Sequence, residues 1–249
     1  MKVIVKELQP DIFWVYTPSY YNCTYILKKG TDVVLIDAGM RSDASDIKGA
    51  LERIGIPVKR ITAVILTHWH NDHSAGTAVL KELSGCKTFC HIDEADYFQK
   101  KPGSRLRRLA DFIPERGILV LFKGLIGDVV PRRVTIDHLV SDGDVILQDL
   151  EVIKTPGHTN GHIAIYDRST AFLFAGDALA VIHQRLRLMA GPVTPDKENA
   201  RASIMKLLSG RMISSICPGH REPLVTNVEA EIARFRNEIL HLKRWPLLG

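Results

Sequence analysis

Short apolar runs alternate with segments of helical periodicity along the first third of this chain. Residues 33–37 (VVLID) and 63–66 (AVIL) predict two buried strands, and the second ends directly at a threonine and a histidine. Apolar residues at helical spacing predict helices over residues 44–54 and 75–83. Strands that alternate with helices are typical of an α/β protein with parallel strand pairs.

The second half contains more short apolar runs, separated by turn residues, and two helical patterns. We expect one helix to begin at Thr194-Pro195, with proline at its first position, and another to cover residues 228–242. The predicted strands are residues 145–147, 151–154, 163–166, 171–174 and 213–217. Since no repeat or linker divides the chain, we predict a single domain over residues 1–249, with two sheets between helices.

The composition agrees with a globular α/β protein, and the distribution of charge distinguishes one segment of the chain. The chain has 249 residues, of which 45% are hydrophobic and 24% charged, as in ordinary globular proteins. No apolar run approaches the ~18 residues of a membrane span. The net charge is +5, yet residues 97–135 alone contain nine basic and three acidic side chains.

This basic segment is also broken by prolines and glycines, and we predict that residues 95–135 form a helical excursion that caps the active site. The charge has two interpretations: a solvated surface, or a surface that attracts an anionic small-molecule substrate. A nucleic-acid groove is disfavoured because aromatic residues are not interleaved with the basic ones. The four cysteines and the absence of an export signal predict reduced thiols and a cytoplasmic location.

The chemistry is concentrated in residues 67–73 (THWHNDH), which follow the strand of residues 63–66. Alternate residues of an extended segment point the same way, so His68 and His70 can face one ion. Asp72 and His73 come after the chain turns toward a helix, and they can address a second position. Imidazole and carboxylate ligands suit zinc, iron or manganese.

Three later residues share one setting, in which a polar side chain follows a glycine at the end of an apolar strand. They are His158, Asp177 and His220, in the sequences TPGHT, FAGD and CPGH. A rigid sheet can deliver ligands to one edge in this way. Together they supply the ligands that a second ion needs.

These motifs resemble those of the metallo-β-lactamase fold superfamily. The resemblance covers LIDAG at residues 35–39, THWHNDH at 67–73, PGHTNGH at 156–162, AGD at 175–177 and PGH at 218–220. The resemblance implies a four-layer αββα sandwich with a metal site at one edge of two sheets. It implies a dinuclear site whose first ion is held by His68, His70 and His158. The second ion would be held by Asp72, His73 and His220. Asp177 and a hydroxide would bridge both ions, and Asp37 and His162 would orient ligands.

Departures from known branches of the family narrow the expected activity. β-Lactamases of this fold carry cysteine or serine at the place of Asp177, and the oxygen-reducing diiron branch usually has glutamate at that of His70. Acyl-homoserine lactonases have tyrosine where this chain has Ala180. Tyr20, Tyr21 and Trp69 lie where relatives often have pocket-wall residues, and His183 is a candidate proton donor to the leaving group.

We therefore predict a dinuclear hydrolase, similar to glyoxalase II, acting on an ester, thioester, lactone or phosphoester. The bridging hydroxide would be the nucleophile, with Asp72 carrying a proton, and zinc is the first choice of metal, ahead of iron or manganese. The alternatives are a mononuclear-iron sulfur dioxygenase and a nuclease of the same fold. A membrane partner is not expected, and a homodimer is compatible with the sequence.

Overall fold

The computed structural model of this protein describes residues 3–18, 21–99 and 132–247. The chain divides into two compact units. The first comprises Met1–Cys90 and Glu94–Leu139, and the second comprises His91–Asp93 and Val140–Gly249.

The first unit is built on a seven-stranded sheet whose strands lie side by side in chain order. β1 to β4 pair antiparallel, whereas β4, β5 and β6 pair parallel. The carboxyl ends of β4 and β5 therefore meet at the same edge of the sheet. The strands are β1 (Ile4–Gln9), β2 (Ile12–Tyr16), β3 (Cys23–Lys29), β4 (Asp32–Ile36), β5 (Ile61–Ile65), β6 (Lys87–His91) and β7 (His138–Val140).

Helices pack on one face of this sheet through apolar side chains, which share a core with apolar side chains of the strands. Ile47 and Leu51 of α1 are fully buried in one core with Leu35 and Val64 of the sheet. This confirms the helix predicted over residues 44–54 to within one residue at each end. The helices are α1 (Ser45–Arg53), α2 (Asn71–Ser74), α3 (Thr77–Ser84) and α4 (Ala95–Gln99), with 3-10 turns at Val58–Arg60 and Ile92–Glu94.

The second unit contains a five-stranded sheet and a separate hairpin. The sheet has the order β14-β11-β10-β9-β8, and β11 and β14 pair parallel while the other pairs are antiparallel. Its strands are β8 (Val145–Ile146), β9 (Leu150–Lys154), β10 (Ile163–Asp167), β11 (Phe172–Gly176) and β14 (Ser215–Pro218). The hairpin consists of β12 (Ala180–Ile182) and β13 (Arg185–Arg187).

Two helices, α5 (Lys197–Leu207) and α6 (Val228–Leu240), pack on the core of this unit. The prediction that Pro195 begins α5 is wrong, because the helix begins two residues later. Asp196 is the N-cap, and its Oδ1 accepts a hydrogen bond from the Asn199 backbone N–H at 3.0 Å. A 3-10 turn at Gly191–Val193 precedes this helix.

The remaining predicted elements are confirmed with ends that differ by at most two residues. The sequence patterns do not predict the three N-terminal strands, α2, β6, β7 or the hairpin. Of the predicted cap, residues 100–131 lie outside the described residues. In the parts of the chain that the structure describes, no helix is long and apolar enough to cross a membrane.

Candidate metal centre

The histidine-rich segment lies directly after β5, where the sheet ends. His68 is fully buried, and α2 begins three residues later at Asn71. Asp72 and His73 therefore lie within α2, a short helix that precedes the helix predicted over residues 75–83. Ser74 closes this turn, because its hydroxyl donates to the carbonyl oxygens of Trp69 at 2.8 Å and His70 at 2.9 Å.

His68 and His70 turn nitrogen atoms toward each other. The distance between His68 Nε2 and His70 Nδ1 is 3.1 Å, and the two rings are nearly perpendicular at 80°. The other nitrogen of His68, Nδ1, lies 3.0 Å from the Thr67 hydroxyl. His68 Nε2 and His70 Nδ1 are therefore close enough for both to bind one ion.

Asp37, which follows β4, joins the two ends of the segment. Its carboxylate accepts hydrogen bonds from the Thr67 backbone N–H at 2.8 Å and from the Thr67 hydroxyl at 2.9 Å. Its Oδ2 also lies 2.8 Å from His73 Nδ1. Because Asp37 engages Nδ1, Nε2 is the nitrogen of His73 that could bind an ion, and this atom lies 3.5 Å from Asp72 Oδ2.

A glycine allows the helical part of this segment to approach the end of β4. A Cβ at Gly76 would lie 2.3 Å from the Ala38 carbonyl oxygen, which is far below contact distance. The close approach lets the Ala38 N–H donate to the His73 carbonyl at 2.6 Å. The backbone on both sides of Asp37 and His73 is therefore fixed.

In the second unit, one carboxylate oxygen lies between two imidazoles. Asp177 Oδ2 is 3.4 Å from His158 Nε2 and 3.4 Å from His220 Nε2. Asp177 and His220 follow the adjacent parallel strands β11 and β14, which are joined at this point by the Gly219 N–H donating to the Gly176 carbonyl at 2.7 Å.

Backbone and threonine contacts orient the histidines of this unit. His158 Nδ1 lies 2.5 Å from the Val193 carbonyl oxygen, so this nitrogen carries the proton and Nε2 is the basic atom. His162 Nε2 accepts from the Asp177 N–H at 2.9 Å, and its Nδ1 lies 2.7 Å from the Thr155 hydroxyl. His162 therefore holds the Asp177 backbone and has no nitrogen left for a metal ion.

The loop that carries His158 passes very close to α5. Gly157 has φ +141°, and a Cβ there would lie 2.5 Å from the Cα of Ala200. The Asp196 N–H donates to the Gly157 carbonyl at 3.2 Å. Only glycine fits this position without moving either the helix or the loop.

The donor set in each unit fits a divalent transition metal. It consists of imidazole nitrogens and carboxylate oxygens. In His73, His158 and His68, the ring nitrogen Nδ1 is held by a carboxylate, a carbonyl and a hydroxyl, respectively. Such outer contacts orient metal-binding histidines and raise their basicity. The first unit offers His68, His70, Asp72 and His73, and the second offers His158, Asp177 and His220.

A family model for the metallo-beta-lactamase superfamily matches residues 16–220, which include every one of these donors. The chain belongs to this superfamily. The family resemblance inferred from the motifs is thereby confirmed, and so is the mixed α/β fold class.

The relatives of the chain include a probable metallo-hydrolase and a hydroxyacylglutathione hydrolase. A probable metallo-hydrolase, YflN of Bacillus subtilis, is 31% identical over 228 residues, which are 83% of this chain and 82% of the relative. A hydroxyacylglutathione hydrolase of Rhizobium etli is 31% identical over 178 residues, 70% of this chain and 53% of that enzyme. This chain therefore matches about half the length of that hydrolase.

A solved structure supports the fold. The metallo-beta-lactamase from Cronobacter sakazakii, in a form mutated in its HARLDQ motif, aligns with a TM-score of 0.64 at 21% identity, over 96% of this chain and 87% of that chain. At this identity the likeness establishes the metallo-β-lactamase fold and nothing about activity.

The candidate substrate residues are less closely tied to the metal donors. Tyr21 is exposed, with φ 56°, and its ring stacks near that of Tyr16 at 6.1 Å between centroids. Tyr20 lies outside the described residues. His183 is exposed at the turn of the β12–β13 hairpin, where its backbone N–H donates to Glu222 Oε1 at 2.5 Å.

Three residues that support the candidate metal centre are not part of the recognised motifs. Asn22 is buried and donates from Nδ2 to the Asp72 carbonyl at 3.1 Å. Glu94 is buried and accepts from the Trp69 N–H at 2.9 Å. Thr155 holds His162. Polar residues in apolar surroundings were the available signal, since buried polar groups need partners.

Proposed function

We propose that this protein is a hydrolase that uses two divalent metal ions, with zinc as the first choice, to cleave an ester, thioester, lactone or phosphoester. The observation that carries the proposal is the anchoring of the donor histidines. Nδ1 of His73 is held by the Asp37 carboxylate and Nδ1 of His158 by the Val193 carbonyl, so Nε2 is the nitrogen of each ring that would bind a metal ion. An oxygen that holds one nitrogen of the ring is typical of metal-binding histidines.

From the family resemblance alone, we assign the two donor groups to one dinuclear centre and residues 1–249 to one domain. Motif matching assigns one ion to His68, His70 and His158. It assigns the other ion to Asp72, His73 and His220. Asp177 would be shared, in keeping with its Oδ2 lying between the Nε2 atoms of two histidines that serve different ions.

When bound, the two cations supply Lewis acidity and lower the pKa of water enough for hydroxide to form near neutral pH. Asp72 accepts the proton of the attacking water at Oδ2 and passes it toward the leaving group. The water oxygen forms a bond to the acyl carbon or phosphorus, and the bond to the leaving oxygen or sulfur breaks. Asp37 keeps His73 in one tautomer throughout.

Among the substrate classes, a thioester has the most support because hydroxyacylglutathione hydrolases are among the relatives. An anionic substrate would suit the basic residues of the segment 97–135. The four cysteines are buried thiols, which supports the predicted cytoplasmic location.

Metal content tests the centre directly. Protein purified gently with added zinc, iron or manganese is expected to hold close to two ions per chain. His70→Ala and Asp177→Asn are expected to lose metal and activity together while they retain the fold. His241→Ala, at an exposed helix end, is the matched control and should lose neither. Wild-type protein that remains free of metal would refute the proposal.

Activity is tested by a screen of the metal-loaded enzyme against p-nitrophenyl esters, thioesters, lactones and phosphodiesters. We expect turnover of at least one class that His70→Ala abolishes. Oxygen consumption on a glutathione persulfide with one iron per chain, without hydrolysis of any class, would contradict the proposal.

A further inference from the structure

The segment that follows α6 folds back onto the loop before α5. The Trp245 indole N–H donates to the Met189 carbonyl at 2.8 Å, and the Gly191 N–H donates to the Pro246 carbonyl at 2.9 Å. Trp245 is half-buried and packs against the core of the second unit. We call residues 245 and 246 the C-terminal clamp.

The clamped loop continues into the 3-10 turn at Gly191–Val193. Inside this turn the Val193 N–H donates to the Ala190 carbonyl at 3.1 Å, and the hydroxyl of the buried Thr194 donates to the same oxygen at 3.0 Å. The fit is close, because a Cβ at Gly191 would lie 3.0 Å from the Pro246 carbonyl oxygen.

The carbonyl of Val193 is the group that holds His158. It lies 2.5 Å from Nδ1 of that histidine, whose other nitrogen faces Asp177 Oδ2 at 3.4 Å. Trp245 and Pro246 are thus connected to a proposed metal ligand by one short turn of backbone. Each contact in this connection lies within the second unit.

We propose that Trp245 and Pro246 are positioning residues for His158: the C-terminal clamp fixes the Val193 carbonyl, and that carbonyl fixes the tautomer and orientation of the imidazole. The metal-binding part of this inference rests on the proposed function. Outer contacts of this kind typically change metal affinity by 10–100-fold, because a ring that can turn or change tautomer presents its donor atom only part of the time.

The test compares chains that end at Leu247 and at Arg244, since only the shorter one lacks the clamp. Trp245→Phe is the point variant; it keeps an aromatic ring but removes the indole donor. In metal-free protein, nitrogen-15 NMR of the His158 ring is expected to show one tautomer, protonated at Nδ1, in the full chain and in the chain ending at Leu247. The shorter chain is expected to show exchange between tautomers.

Metal affinity, measured by competition with a chromophoric zinc chelator, gives the second readout. We expect one of two zinc ions to bind about ten-fold more weakly to the chain ending at Arg244, with Trp245→Phe intermediate and the other ion unaffected. A merely structural tail would weaken both ions equally and leave the His158 tautomer unchanged, and that result would overturn the inference.

The two proposals fail in different ways. A full-length chain that binds no zinc would refute the proposed function. A full-length chain that binds two zinc ions, together with an Arg244-terminated chain that has the same affinities and the same His158 tautomer, would refute the role of the clamp alone.

Discussion

At the residue scale, Asp37 connects Thr67 and His73 of the ligand segment, residues 67–73. It is buried, and its two oxygens accept hydrogen bonds at both ends of the ligand segment, from Thr67 and from His73. Asparagine has the same shape but turns an amide N–H toward one of these donors. An unpaired buried donor costs roughly 1–3 kcal/mol.

We therefore expect Asp37→Asn to reduce metal affinity by about 10–100-fold while the protein remains folded. Chelator competition measures the affinity, and circular dichroism checks the fold. Glu52→Gln, on the exposed side of α1, makes the same chemical change and should leave metal binding at the wild-type level. Equal affinities in the two variants would contradict the assigned role.

Asp46 is another buried carboxylate of the first unit, but its role concerns stability. Burial raises its pKa from 3.8 to about 6, although backbone N–H groups, including those of Ile47 and Met40, donate to it. Between about pH 4 and 6 the folded protein keeps a proton that the unfolded chain releases. The unfolding free energy should therefore fall as the pH rises through this window.

The shifted pKa of Asp46 should lower the unfolding free energy by about 3 kcal/mol between about pH 4 and 6. We expect Asp46→Asn to remove most of this pH dependence, so that the difference in unfolding free energy between variant and wild type changes with pH in this range. Urea unfolding of metal-free protein at several pH values measures it. Asp43→Asn, at an exposed position nearby, should not remove this fall, because hydrogen bonds from Ser45 lower the pKa of Asp43 rather than raise it. A difference that is constant with pH would disprove this account.

At the element scale, the contact between Gly157 and α5 determines where His158 lies. Gly157→Ala would push a Cβ against the Ala200 backbone and also strain a positive φ. Overlap of this kind costs about 1–3 kcal/mol, and the backbone strain about as much again.

We expect Gly157→Ala to lower the unfolding free energy by about 3 kcal/mol and to weaken metal binding. Gly210→Ala is the control, because Gly210 also has a positive φ (+73°) but has open space around it. It should cost about 1 kcal/mol and leave the metal in place. Denaturant unfolding and metal analysis of both variants distinguish steric overlap from backbone strain alone.

Elements with continuous apolar runs were predictable, and those with mixed composition were not. β4 and β5 are buried and apolar, so their sequences predict them well. β1 is only partly buried and includes charged residues, which hides the strand pattern. The hairpin turn was missed because His183 and Gln184 both have positive φ, a conformation more typical of asparagine and glycine.

The same division applies to the candidate centre. The donor side chains stand in recognisable motifs, so the sequence indicates them directly. The groups that orient them are partly backbone carbonyls such as that of Val193, which the sequence cannot distinguish from any other carbonyl. Their contribution depends on tertiary contacts, such as those made by Trp245, from distant parts of the chain.

At the scale of the whole molecule, the charge is concentrated in residues 97–135, while the rest is nearly neutral. If this segment attracts an anionic substrate, replacing Arg105, Arg107 and Arg108 with glutamine should raise KM by about three- to ten-fold at low salt. The effect should disappear at ~0.5 M salt, because mobile ions screen exposed charges.

A control with the same change of net charge replaces the exposed residues Lys59, Lys87 and Lys243 with glutamine. Its KM should stay near the wild-type value, and kcat should be unchanged in both triple variants. Steady-state kinetics at two salt concentrations measures both effects. Equal KM values in the two variants would assign the basic segment to ordinary solvated surface.

The parallel pairing of β11 with β14 also bears on how the protein is synthesised. Asp177 leaves the ribosome well before His220, and only the docking of β14 beside β11 brings the two together. Domains generally fold as units during translation, so a nascent chain that has not yet extruded β14 lacks this histidine–carboxylate pair. Metal acquisition should therefore be a late event in biogenesis, and fragments left by stalled translation before that strand should not retain the ions.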